Sequence, residues 1–328
     1  MTSNQSFFYN LKTLPVDRFF SNVLYDKRFG YYSSKNPFGN KGDFLTSPGV
    51  SNIFSEIIGI WLISTWTSMG KPKIFNVVEL GPGDGNLTKI LIKIFKKFPE
   101  FDNAVNIFLY EKNNYLKKIQ KKNIDDTKIK WINNFKKIRK GPVIFFGNEF
   151  FDAIPIKQFY RKGKLLLEKH YSINKKDQII EVSKKVSQKE ILKIKKFKTL
   201  KNLTFIEFPK LGFKELNKII KKISSLNGGI LLIDYGYIKP NNSNTMQSVM
   251  RHKKNNLLDN LGKADITSLV NFKLLDEFFK KKNLKVKKIV TQKFFLEKMG
   301  IMERSNNLSK NMSFKEQVNL YSRIKRLI

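Results

Sequence analysis

The chain has 328 residues, 41% of them hydrophobic, which is enough apolar material for a folded core and too much for a disordered chain. It contains no cysteine and two histidines, so disulfides, zinc–thiolate sites and thiol catalysis are excluded, and a histidine-built metal centre is disfavoured. The formal net charge is +36, but lysine is spread along nearly the whole sequence beside abundant Asn, Ile and Phe; that spread reads as compositional bias with weak polyanion affinity rather than a dedicated nucleic-acid face.

In chain order, residues 14–29 read as an amphipathic helix, with Pro15 in its first turn and Val16, Phe19, Phe20, Val23 and Leu24 on one face. Turn chemistry is dense from Gly30-Tyr31-Tyr32 through Asn36-Pro37-Phe38-Gly39 to Gly42-Asp43-Phe44. Ser47-Pro48 opens a helix carrying Ile53, Phe54, Ile57, Ile58, Ile60 and Trp61. Four apolar, β-branched or aromatic strands follow at 75–80, 106–111, 129–132 and 142–146, with a fifth at 229–234. Helical stretches separate most of them, a pattern that predicts a parallel sheet buried on both faces in an α/β, Rossmann-like fold.

Residues 157–210 break that rhythm: 157–160 and 165–171 can pair around Lys162-Gly163, and a lysine-rich amphipathic stretch covers 187–198. This segment reads as an insertion on the sheet edge. A helix near 213–225 leads to the fifth strand, residues 239–265 read as a polar irregular loop, and a helix at 272–282, a strand at 284–290 and a helical C-terminal stretch from Gln292 complete the chain. The expected organisation is a helical cap over 1–70 and a Rossmann-like domain over 71–328, with insertions at about 157–210 and 239–271. No apolar run approaches the ~18 residues of a membrane span, and the first residues lack a signal-peptide core. The expectation is a soluble, cytoplasmic protein of undetermined oligomeric state.

The chemistry centres on Glu79-Leu80-Gly81-Pro82-Gly83-Asp84-Gly85-Asn86, where an apolar strand ends in an acid and three glycines alternate before a helix. Glycines here permit a sharp turn and let a ligand approach the backbone, and the amides of the helix start point towards it. A pyrophosphate dinucleotide site needs G-x-G-x-x-G, whose third glycine falls at Asn86. The acid-led pattern instead resembles that of S-adenosylmethionine (SAM) methyltransferases, with Glu79 serving the cationic amino-acid end of the cofactor. Glu111 ends the second strand, where an acid accepts ribose hydroxyls, and Asn133 ends the third, placed for an adenine edge. Asn148-Glu149-Phe150-Phe151-Asp152 follows the fourth strand. Methyl transfer needs in-line placement in a dry pocket; for a guanidinium nucleophile, Glu149 can orient the fork bidentately, with Asn148 beside it, Asp152 as a weaker candidate and the phenylalanines as walls.

With these residues in place the chain resembles the MidA-like SAM-dependent methyltransferases. The likeness runs through Gly30-Tyr31-Tyr32, Gly42-Asp43-Phe44-Leu45-Thr46-Ser47-Pro48, Glu79-Leu80-Gly81-Pro82-Gly83, Asn148-Glu149-Phe150-Phe151-Asp152-Ala153, Asp234-Tyr235-Gly236 and Ala264-Asp265-Ile266-Thr267. The resemblance implies a class I methyltransferase fold, SAM as methyl donor, and a protein arginine as substrate, in the manner of mitochondrial members that act in respiratory complex I assembly. It also implies that Asp43, Thr46 and Ser47 belong to a loop closing over the cofactor. Two positions depart from the family pattern: Gly49 stands where an acid is usual, and Asp84 where an arginine is usual. A methyltransferase acting on RNA and a non-catalytic assembly chaperone on the same fold are the competing expectations.

Overall fold

The structure, a computed structural model, describes residues 4–34, 37, 43 and 46–328. The chain divides into two compact units: Met1–Lys35, Glu149–Ile220 and Asp234–Lys287 make one; Asn36–Asn148, Lys221–Ile233 and Lys288–Ile328 make the other.

The second unit is built on a parallel sheet of β1 (Phe75–Leu80), β2 (Val105–Tyr110), β3 (Ile129–Ile132), β4 (Val143–Asn148) and β5 (Gly228–Ile233), in the order β5-β4-β1-β2-β3. Every residue of β1 is buried, as expected of a strand covered on both faces. The chain runs outward from β1 to β3, then returns to β4 on the other side of β1. The strand order therefore reverses between β1 and β4, the point at which open α/β sheets bind ligands beyond their strand C-termini. The return takes only ten residues and no helix. Asn76 anchors it: its buried amide Nδ2 donates to the carbonyls of Lys140, Gly141 and Pro142 at 2.8, 3.2 and 3.1 Å. Gly141 is left-handed (φ 78°), and a Cβ there would meet the Ile74 carbonyl oxygen at 2.3 Å.

Helix α1 (Asn86–Phe95) buries Leu87, Leu91 and Phe95, and helix α2 (Asn114–Asn123) buries Leu116 and Gln120. The core joins these faces to Phe54, Ile58 and Leu62 of the long Asn52–Ser68 helix and to Leu296, Ile301, Ile324 and Leu327 of the C-terminal helices. Ser51 caps the long helix by accepting from the Ile53 amide.

The first unit holds an antiparallel sheet. The predicted hairpin forms between Lys157–Lys162 and Leu165–Ile173, with Gly163 left-handed in its turn. It is extended by Thr13–Pro15, Ile179–Lys185 and Phe205–Phe208 into five strands, so the segment read as an insertion builds a sheet of its own. Pro15 closes the first of these strands and is the N-cap of the Val16–Tyr25 helix, which is shorter than the periodicity of its sequence predicts.

Two expectations fail here. Residues 284–290 mix β-branched and basic side chains, yet among the described residues no strand forms there; composition supplies propensity but not a partner. Residues 239–265, expected to be irregular, contain strands Gln247–Met250 and Lys253–Asn255, which join Asp265–Thr267 in a small antiparallel sheet. Their tight turn is Arg251-His252, both left-handed (φ 51° and 61°). Asn-Gly is the usual pair for such a turn, so the hairpin carries no recognisable signal.

Candidate active site

In the sheet-centred unit, Glu79 lies near the end of β1, buried, and accepts a hydrogen bond from the Thr88 hydroxyl in the first turn of α1. Burial pushes its carboxyl up to about 7, the Thr88 bond opposes this, and Asp84 adds to the rise. Gly81, Gly83 and Gly85 are all left-handed (φ 61°, 58° and 86°), a conformation that favours glycine and leaves alternate positions of the turn without side chains. At Gly85 a Cβ would come within 2.8 Å of Ile124.

Asp84, the departure from the family pattern, has a local task. Its Oδ1 accepts from the Asn86 amide at 3.0 Å, and its carbonyl accepts from Asn123 Nδ2 at 2.9 Å. Asn86 in turn donates to the Pro48 carbonyl at 3.1 Å, joining the glycine turn to the Ser47–Val50 helical turn. Thr46, half-buried, precedes that turn and supplies its carbonyl to the amides of Gly49 and Val50. Asp43 is buried, and its amide donates to the Pro37 carbonyl; Gly42, Phe44 and Leu45, and with them most of the expected closing loop, lie outside the described residues.

Glu111 directly follows β2 and is buried. Its Oε1 accepts from the Asn113 amide (2.7 Å) and its Oε2 from Gln120 Nε2 (3.2 Å), while burial raises its pKa against the pull of these bonds. Because Glu79 pairs with Leu109 in the register of β1 and β2, the two acids stand on adjacent strand ends. Asn133 follows β3, exposed, its Oδ1 accepting from Asn134 Nδ2 at 2.8 Å. A glycine-rich turn flanked by two buried carboxylates fits a ligand with a cationic amine and a ribose diol. Thr88, Gln120 and Asn123 complete this cradle and escaped the sequence reading, since each looks like an ordinary helix residue.

Asn148 ends β4 opposite Ile233 of β5. The other unit holds a group of carboxylates, Glu149, Asp152, Asp234 and Asp265. Glu149 is half-buried and left-handed (φ 51°), a conformation that costs a non-glycine residue free energy. Asp234 holds the turn that follows it: Oδ2 accepts from the amides of Phe151 (2.8 Å) and Asp152 (3.3 Å), and Oδ1 from that of Tyr235 (2.9 Å). The Asp152 carbonyl accepts from the Ser268 amide, and the Ala153 carbonyl from the Tyr25 hydroxyl at 2.7 Å. Asp265 is buried and accepts from the Tyr32 hydroxyl at 3.0 Å. Burial drives the Asp152 carboxyl well up, with Asp234, Glu149 and Asp265 repelling it further. Asp234 rises to about 7, chiefly by burial, despite its three amide donors. The expected Glu149 and Asp152 thus share their surroundings with Asp234 and Asp265, which the sequence reading left outside the site; an acid closing an apolar strand, as at Asp234, was the available signal.

Comparison with known proteins bears on the family and the fold. A profile describing S-adenosyl-L-methionine-dependent methyltransferases matches residues 57–290. A mitochondrial protein arginine methyltransferase NDUFAF7 homologue of Drosophila melanogaster is 28% identical over 80% of this chain and 65% of its own length, so the chain spans just under two thirds of that relative. The mitochondrial protein arginine methyltransferase NDUFAF7 of Xenopus laevis is 26% identical over 90% of the chain and 74% of its own length, and that of Homo sapiens 27% over 88% and 70%. A crystal structure of a methyl transferase candidate from Burkholderia thailandensis, bound to S-adenosyl-homocysteine, superposes with a TM-score of 0.82 over 99% of this chain and 88% of that one, at 18% identity; this likeness carries the class I methyltransferase fold. The relatives are named as mitochondrial, which overturns the cytoplasmic expectation. Matched by that profile over most of its length, the chain belongs to the S-adenosyl-L-methionine-dependent methyltransferases and is an enzyme that uses this cofactor.

Proposed function

We propose that the chain methylates an arginine side chain of a protein, the acceptor being a respiratory complex I subunit as the family resemblance implies. The observation that carries this reading is the crowding of Glu149, Asp152, Asp234 and Asp265, where burial and the neighbouring carboxylates push the Asp152 and Asp234 carboxyls up. Such a group pays for desolvation and for mutual repulsion, and a guanidinium among them relieves both. Its planar fork suits bidentate carboxylate recognition, which a lysine ammonium cannot match. The names of the relatives support the same substrate class.

The cofactor supplies an electrophilic methyl group. On this reading the chain's own residues do the rest. Glu79 and the glycine turn hold the amino-acid end of the cofactor, Glu111 its ribose and Asn133 its adenine, with Asp43 and Thr46 near the entrance. Glu149 and Asn148 orient the accepting nitrogen, and the carboxylates take up the proton it gives up. The same acids disfavour a polyanionic acceptor at this position, which argues against RNA.

Mass spectrometry of complex I subunits from cells with and without the gene tests the proposal. The expected result is an arginine methyl mark that disappears with the gene. Labelled SAM incubated with lysate gives the complementary readout: label removed by nuclease rather than protease rejects a protein acceptor. Full complementation of a deletion strain by Glu149→Gln would favour a non-catalytic assembly role instead.

A further inference from the structure

Gln120 is the one glutamine of helix α2 and is completely buried, at 0% exposure. The helix around it is lysine-rich: Lys117, Lys118, Lys121 and Lys122 surround the position. A buried amide costs free energy unless both its ends are bonded, and a leucine would fill the same space without that cost. Here both ends are used. Nε2 donates to the Gly83 carbonyl at 2.9 Å and to Glu111 Oε2 at 3.2 Å, and Oε1 accepts from the Trp131 indole N–H at 3.1 Å.

These partners lie on three different pieces of the cradle: Gly83 in the turn after β1, Glu111 just beyond β2, Trp131 in β3. Each bond fixes something specific. With Oε1 of Glu111 held by the Asn113 amide and Oε2 by Gln120, the carboxylate plane is set while lone pairs remain on both oxygens. With the Gly83 carbonyl directed at Gln120, the N–H across that trans peptide, belonging to Asp84, points away from it. The indole bond fixes which end of the Gln120 amide faces which partner, since Trp131 donates and cannot accept.

We infer that Gln120 is a positioning residue for the cofactor, setting the glycine turn and the Glu111 carboxylate together through one buried amide oriented by Trp131. This rests on the reading that Gly83 and Glu111 meet the cofactor. Gln120 itself touches no substrate; it decides whether the amino-acid end and the ribose end are met at the same time.

Isothermal titration with S-adenosyl-homocysteine, which needs no turnover, tests this on the full chain. Gln120→Leu keeps the volume and removes the bonds; its Kd is expected to rise at least tenfold, with melting temperature recorded alongside. Glu111→Gln is expected to weaken binding too, and the double variant to weaken it by less than the product of the two single effects, because Gln120 acts partly through Glu111. Should Gln120→Leu not fold, Trp131→Phe removes only the bond that orients the amide and is expected to raise Kd about threefold. A folded Gln120→Leu, or a folded Trp131→Phe in its place, that binds as tightly as wild type overturns the role of Gln120. Wild-type protein that binds no S-adenosyl-homocysteine overturns instead the cofactor reading beneath it.

Discussion

Gly83 and Asp234 show how differently single residues advertise themselves. Gly83 is left-handed at φ 58°, a conformation in which a β-branched side chain costs about 1–2 kcal/mol. Gly83→Val is therefore expected to abolish detectable SAM binding by titration calorimetry, and unchanged affinity would remove the glycine turn from the cofactor site. That glycine was readable in the sequence because its reason is local. Asp234 was readable only as an acid at a strand end: its task of gathering three amides, two of them more than eighty positions earlier in the chain, appears only once the turn after Glu149 is in place. Gln120 gave no signal at all, since a glutamine among lysines reads as solvated helix surface.

Asp234 also sets a pH dependence. Its carboxyl moves from 3.8 to about 7 on folding, so the folded chain holds this proton more tightly than the unfolded one. The resulting stability is fully present below about pH 4 and is lost as pH rises through about 7. Thermal melts of wild type are expected to fall between about pH 5 and 8 more steeply than those of Asp234→Asn. Affinity for an arginine peptide should run the other way, rising through about pH 7 as the carboxylates ionise, with proton release measurable by calorimetry in buffers of different ionisation enthalpy. A peptide affinity flat across this range would reject the acidic group as the guanidinium site.

At the scale of elements, the parallel sheet was legible because β1, β2 and β4 are mostly apolar, β-branched and aromatic runs, a signature that needs no knowledge of neighbours. Residues 284–290 had the β-branched content of a strand and failed for want of a partner, while the hairpin at Gln247–Asn255 had the partner without the usual turn residues. Replacing Arg251-His252 by Asn-Gly is expected to stabilise the protein by about 1 kcal/mol in urea titration and to leave SAM affinity unchanged. Gly141 makes the opposite case. Gly141→Ala meets the Ile74 carbonyl at 2.3 Å in left-handed backbone, so a loss of at least about 2 kcal/mol is expected in the same titration. A near-neutral result would show that the short return from β3 to β4 can shift without disturbing β1.

For the molecule as a whole, the +36 charge has to be reconciled with an acidic site. A surface of this sign binds polyanions without selecting among them, and such binding falls linearly in log Kd against log salt. Heparin or RNA retention is expected to vanish between about 50 and 200 mM salt, with no methyl transfer to the RNA at either end. Transfer to RNA that persists at the higher concentration would restore the nucleic-acid reading. Composition fixed the globular class and excluded thiol chemistry; it carried no address, which is why the placement drawn from it did not hold.

The interleaving of the two units has a consequence for how the protein is made. Each unit is assembled from three separate stretches, and their boundaries alternate along the chain. Synthesis from the N-terminus therefore delivers β1 to β4 long before β5, which waits for residue 233, and the core they share waits for Leu296, Ile301, Ile324 and Leu327 near the end. The sheet-centred unit therefore cannot complete its core until residue 327 has been made, whereas the other unit needs nothing beyond Lys287. A ribosome stalled after residue 148 should display a protease-sensitive chain that holdase chaperones retain, and emergence of the segment carrying Ile324 and Leu327 should be the event that ends that dependence.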